Sequence, residues 1–214
     1  EHGNERIRDL ARHYLKAHPD DDLRRLELAE SLRNLQEFDS ALREVRIVLE
    51  TNDRPVSKGA ALQYLVRTMA ASQLLSIASR KWSLAEEDAD RAQSIEDASE
   101  ARAALVSQLK GDQDDRMVIE ADGRLAFMRG EHRDAARLMD QLASVGSVSA
   151  EILRMNAVSL ESIGQPGLAA DRLRNAVRLN PVSVSSRALL AGLLGRMRKP
   201  EEALQVMQII PQIL

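Results

Sequence analysis

The sequence predicts an all-α fold of tandem helix-turn-helix units, on three observations. Of the 214 residues 44% are apolar but only 2% are aromatic. The core must therefore be built from Leu, Ala, Val, Ile and Met, which suits close helix packing better than a β-sandwich. Ala135, Ala169 and Ala203 stand 34 residues apart, and each opens an apolar stripe of helical period: Ala135, Met139, Leu142; Ala169, Leu173, Ala176; Ala203, Met207, Ile210. Each is preceded by a breaker, namely Gly130, Gly164 and Arg198-Lys199-Pro200.

In chain order, IRDLARHYLKAHPDDD reads as the second helix of a unit (residues 1–21), ending at Pro19. The stretch ELAESLRNLQEFDSALREVRIVLETND then supplies a helix pair (22–55), with Leu28, Ala29 and Leu32 on the first helix and Phe38, Ala41 and Val45 on the second. Residues 56–115 are irregular. SKGAALQYLVRTMAASQLLSIAS is expected to form a longer first helix, and WSLAEEDADRAQSI aligns Trp82, Ala85, Ala89 and Ala92 with the second helix before it. Beyond Ala92 there is room for an additional or extended helix carrying Ala98, Ala101, Ala104, Leu105 and Leu109. Regular units occupy 116–149, 150–183 and 184–214. Their first helices carry patterns such as Leu153, Ala157, Leu160, Ile163 and Leu190, Ala191, Leu194. Stacked arrays need polar helices at their ends, and neither end here has one, so the chain is expected to be part of a longer array.

These residues resemble the tetratricopeptide repeat family: Ala157, Gly164, Ala169, Ala176 and Pro181 in one unit, Gly123, Gly130, Ala135 and Leu142 in the unit before, and the Leu28 to Val45 set near the front. The family's aromatic places are mostly filled by Leu, as at Leu153 and Leu160. The resemblance implies a single right-handed superhelical solenoid, a concave groove lined by first helices, and binding of protein or peptide partners there. Some members grip a C-terminal carboxylate with Lys and Asn; the comparable places here hold Glu120, Arg124, Met155, Ser185 and Leu189, so that clamp is absent. Leu26 and the partner-binding candidates Glu30, Arg33, Glu120, Arg124, Phe127, Glu151, Arg154, Val158 and Glu161 are expected to face the groove, with Glu120 and Arg124 also spaced for an intrahelical pair. The run from Arg124 to Leu204 further resembles tetratricopeptide scaffolds of bacterial exopolysaccharide export and exosortase-associated systems, which places the periplasm ahead of the cytoplasm.

Other chemistries are not encoded. A formal charge of −3, from 30 basic and 33 acidic residues, gives no field toward nucleic acid or an anionic membrane. The excess of Arg (25) over Lys (5) reads as genomic bias. Cysteine is missing, which removes disulfides and thiolate sites. No apolar run approaches the roughly 18 residues of a membrane span. His13 and His18 are five apart and do not share a helix face as two metal ligands would. Asp112, Asp114 and Asp115 lack the glycine and glutamate that complete a calcium loop and read as a helix cap. Phosphate-binding glycine motifs and a nucleophile-base set are both missing. No catalytic, cofactor-binding or metal residue is therefore expected, and the chain reads as a non-catalytic interaction scaffold of an envelope or exopolysaccharide secretion complex. A cytoplasmic adaptor, or a regulatory domain of a larger enzyme, is the alternative that flanking sequence would identify.

Overall fold

Alternation of one-sided and all-round burial along the chain produces the architecture. Helix α3 (Phe38–Glu50) buries Ala41, Leu42, Val45 and Val48, a single stripe of helical period. Helices α7 (His132–Val145) and α9 (Pro166–Leu179) do the same with Ala135, Ala136, Met139, Leu142 and with Ala169, Ala170, Leu173, Ala176. By contrast α8 (Ala150–Ser162) buries Ile152, Leu153, Asn156, Ala157, Ser159 and Leu160, positions spread round most of its circumference. A helix with one apolar stripe meets its neighbours from one side, whereas α8 is covered round most of its surface, packing on α7 and on α9 and touching α10 (Val184–Arg196).

The computed structural model describes residues 2–50, 60–112, 114–146 and 148–208, which form helices joined by short turns. Contacts divide the chain into two compact units with the boundary between Ala121 and Asp122, inside α6 (Arg116–Met128). In the first unit α1 (His2–Ala17), α2 (Asp22–Asn34), α3, α4 (Ala60–Leu84) and α5 (Asp88–Gln108) each pack on the next in order. In the second, the end of α6 meets α7, then α8, α9, α10 and α11 (Pro200–Gln208) follow, again neighbour on neighbour.

Four hairpin turns share one backbone device. Gln36, Gly130, Gly164 and Arg198 all adopt left-handed φ, between 60 and 79°. After each, the next residue's N–H reaches back five residues: Glu37 to the Leu32 carbonyl, Glu131 to Ala126, Gln165 to Leu160 and Lys199 to Leu194, at 2.8 to 2.9 Å. That bond and a second one from the left-handed residue itself close the helix end and reverse the chain. Starts are equally local. Asp21, Ser149 and Ser183 cap α2, α8 and α10 by accepting the N–H of Arg24, Ile152 and Ser186, and Pro166 and Pro200 open α9 and α11, where a missing N–H costs nothing.

Small residues sit where helices cross. Ala41, Ala135, Ala169 and Ala176 are fully buried. A Cβ added to Gly123 would lie 3.5 Å from both Leu138 Cβ and Met139 Cγ of α7. The second unit's core joins Ala157, Leu160, Ala169, Leu173, Leu190, Leu193 and Leu194, with Ala203 and Val206 of α11 packed at its edge.

Two expectations differ from the structure. Ala85, Ala89 and Ala92 do not form a packed stripe: α4 continues to Leu84, Ala89 and Ala92 are exposed, and α5 buries Ser94, Asp97, Ala98, Ala101 and Leu105. Alanines three or four apart fit a helix on any face. The larger Leu105 and the residues able to satisfy buried polar groups choose the packed one: Ser94 bonds back to the Asp90 carbonyl, and Asp97 receives Arg46 at 2.7 Å. In α11, Ala203 is half-buried and Met207 exposed, while Ile210 lies outside the described residues.

Adding a side chain at the Ala169 crossing has nowhere to go, so Ala169→Leu should cost about 1–3 kcal/mol in a chemical denaturation experiment; a variant as stable as the parent would place that crossing elsewhere. At the left-handed turns, Gly164→Ala should destabilise by about 1 kcal/mol and Arg198→Gly should raise the melting temperature, because only the second relieves a strained L-residue.

Candidate functional site

The candidate residues divide between the two units. In the first, Leu26 is buried, Glu30 is exposed and Arg33 is half-buried. Arg33 donates from Nη1 to Ser76 Oγ of α4 at 3.0 Å and from Nη2 to Glu30 Oε1 at 3.4 Å. It thus ties α2 to α4. Glu120, half-buried on α6, belongs to this unit as well.

In the second unit lie Arg124 and Phe127 on α6 and Glu151, Arg154, Val158 and Glu161 on α8. Arg124 is only 5% exposed. Its guanidinium turns onto the next first helix, donating from Nη1 and Nη2 to the two carboxylate oxygens of Glu151 at 3.2 and 3.3 Å. Phe127 packs edge-on against His132 at 6.1 Å between ring centroids. Glu161, at the far end of α8, receives Arg196 of α10 through Nε and Nη2 at 2.7 and 2.9 Å. Hydrogen bonding to that carboxylate raises the Arg196 pKa above its ordinary value. Arg154 donates from Nη1 to Ser186 Oγ of α10 at 3.3 Å.

Bonds of this kind run from one first helix to the next and set their register. They leave an accessible stripe on α8 (Glu151, Arg154, Met155, Val158, Glu161, Ser162) and a matching one on α10, where Val184, Ser185, Ala188, Leu189 and Gly192 are exposed. With a 34-residue offset, Leu189 holds on α10 the place that Met155 holds on α8, and Gly192 that of Val158. Sequence reasoning did not single out the α10 contribution, although Ala188, Leu189 and Gly192 occupy the same phase as the α8 residues it chose.

The second helices are joined separately. Asp140 of α7 accepts from Asn156 Nδ2 at 2.7 Å and from Arg172 of α9 at 2.8 Å, and Arg174 of α9 donates to Glu202 of α11 at 2.9 Å. Lys199 and Arg174 hold the exposed Glu202 carboxyl below the usual carboxylate range. The Asp112 to Asp115 cluster does local work: Asp115 Oδ1 accepts the Met117 N–H at the start of α6. Among the described residues, no group of three or more His, Asp or Glu is placed to hold a metal ion, and no helix is long and apolar enough to cross a membrane.

No family model matches the sequence, and no curated protein matches it either. Solved structures do match. A thermophilic TPR protein of Thermus thermophilus aligns over 87% of this chain and 88% of its own with a TM-score of 0.62 at 17% identity. PilF of Pseudomonas aeruginosa aligns over 99% of this chain and 78% of its own at 0.60 and 14% identity. MamA of Desulfovibrio magneticus RS-1, from residue 41, aligns over 91% and 95% at 0.54 and 11% identity. The likenesses show the fold: all-α helical hairpins stacked as in a tetratricopeptide solenoid.

The Arg124–Glu151 bond gives a test of how the first helices are joined. Arg124→Glu should destabilise the protein by about 2–4 kcal/mol, since it buries a carboxylate facing Glu151 in place of the pair. Urea titration followed by circular dichroism measures it, and a loss under about 0.5 kcal/mol, the range of an ordinary surface substitution, would mean the pair does not hold α6 against α8.

Proposed function

We propose that this chain is a non-catalytic protein-interaction scaffold whose docking surface is the open face of α8 and α10. One observation carries this reading. The charged groups on that face are engaged in bonds between helices, and between them lie accessible apolar and small residues: Met155, Val158, Ala188, Leu189 and Gly192. A rigid frame with a shallow apolar floor suits a peptide segment of another protein; nothing on the face is arranged as nucleophile, base and orienter. The partner is a protein rather than nucleic acid, since the face carries no run of unpaired cations. A bulky side chain at Gly192 should block the surface without disturbing the core, because a Cβ there meets only the Arg196 Nη1 tip at 3.5 Å. Replacing a helical glycine also favours the helix. Gly192→Trp should therefore melt no lower than the parent and lose a partner that the parent captures from a bacterial envelope extract. Equal capture by both would move the docking surface elsewhere.

We further propose that the chain serves assembly of a bacterial envelope complex, an exopolysaccharide export system in the finer form. The support is the resemblance of the run from Arg124 to Leu204 to scaffolds of those systems. Fractionation of the native host should recover the protein with the periplasm or envelope; recovery in the cytosol would exclude this role and favour an adaptor.

A further inference from the structure

We infer that the segment docking on α8 and α10 is acidic, and that Arg154 is the residue that receives its carboxylate. The inference rests on the reading of that face as the docking surface and names the chemistry of its occupant. Three arginines, Arg124, Arg154 and Arg196, and two glutamates lie along the face, and a fourth arginine, Arg187, is buried under it. Arg124 is neutralised by Glu151 and Arg196 by Glu161, each through two N–H donors. Arg187, buried beneath α10, spends its guanidinium on the carbonyls of Pro181 and Val206 at 2.9 and 3.3 Å. Like Arg187, Arg154 has no carboxylate, but where Arg187 is buried Arg154 is accessible. Its one partner is the neutral Ser186 hydroxyl, and among the described residues no carboxylate forms an ion pair with it. Arg154 is therefore the accessible cation of the face that no carboxylate among the described residues compensates.

Arg154 is also held in a way that suits a receptor. It is half-buried, and Ser186, fully buried and bonded in turn to the Ser183 hydroxyl at 3.0 Å, fixes one end of the guanidinium. The planar fork keeps its other N–H donors for a carboxylate, which takes two of them at once. Little side-chain freedom remains to be lost on binding. Val158 lies one turn along α8, about 5–6 Å away, and Gly192 holds the equivalent place on α10, where an added Cβ would meet only Arg196 Nη1, so the position next to the carboxylate meets an apolar floor with room for a large side chain. An extended peptide covers that distance in two residues. The occupant is thus a short segment in which Asp or Glu stands two positions from Leu, Ile, Val or Phe, and basic segments are disfavoured.

Panning a random dodecapeptide phage library on the purified 214-residue chain tests this, with Gly192→Trp as the blocked control. Selected peptides whose binding is lost in Gly192→Trp should be enriched in Asp or Glu two positions from an apolar residue. A synthetic copy of the leading peptide should bind Arg154→Gln roughly ten- to a hundred-fold more weakly in fluorescence polarisation, the range for one hydrogen-bonded charge. Changing its acid to the amide should weaken binding to the parent by a similar factor and have no further effect on Arg154→Gln. The amide peptide needs no protein variant, so the result stands even if Arg154→Gln fails to fold. Groove-dependent peptides without acidic bias, or with affinity indifferent to the amide change, overturn the role of Arg154 and leave the docking surface in place. If no selected peptide depends on Gly192, both readings fall.

Discussion

Two helices of a hairpin can lie close along their whole length only if the residues at the crossing end at Cβ. Ala41, Ala135 and Ala169 meet that condition and are fully buried, and Gly123 meets it from the facing helix, with Leu138 and Met139 already 3.5 Å from where its Cβ would be. The other packing choices follow from this approach. Because the second helices carry alanine at the crossing, the larger apolar residues Met139, Leu142 and Leu173 are displaced along the stripe to fill the spaces either side. The first helices are then enclosed between second helices on two sides. That is why α8 buries Asn156 and Ser159 as well as leucines, and why Asn156 needs Asp140 as a partner. Interiors are packed too densely for one of these positions to change alone.

The turns hold the repeat length constant. A left-handed residue followed by a backbone bond five residues back reverses the chain in the same number of residues at Gln36, Gly130, Gly164 and Arg198, and the last three are 34 apart. Where glycine occupies the position the turn is visible in the sequence. Gln36 and Arg198 are not visible in that way, since an L-residue in this conformation leaves no compositional mark; at Arg198 the following Pro200 gave the boundary instead. The fold class was thus legible from periodic alanines and glycines. The register of α5 was not. Its alanines at 89, 92, 98 and 101 are compatible with more than one face, and the packed one is settled by Leu105 and by Asp97 meeting Arg46 across 51 positions of sequence.

A similar limit applies to the candidate site. Residues 120 and 124 have the spacing of an intrahelical pair, and from the sequence Glu120 is the partner that suggests itself for Arg124. The structure adds Glu151, 27 residues further on, and the consequence differs in kind. An intrahelical pair would leave both groups on a solvated face, whereas the bond to Glu151 takes the Arg124 guanidinium out of solvent and spends it on joining α6 to α8. The helical phase of these residues was legible because it follows from the period. Their availability was not, because it depends on which charges find partners on the neighbouring helix.

That distinction bears on how such a surface can bind at all. Ion pairs exposed to water contribute little to stability, in part because two long side chains must be held in one geometry. On α8 and α10 this ordering is part of folding: Glu161 and Arg196, Arg154 and Ser186 are fixed before any partner arrives. A peptide that docks on them meets side chains whose freedom has already been spent, so more of its contact energy appears as affinity. The same bonds limit what the partner can offer. A charged group facing Arg124 or Arg196 must compete with a bidentate carboxylate already in place, while one facing Arg154 displaces at most a hydroxyl hydrogen bond of 3.3 Å. For the proposed docking face, specificity therefore depends less on the number of arginines than on which accessible ones the fold has left without a carboxylate.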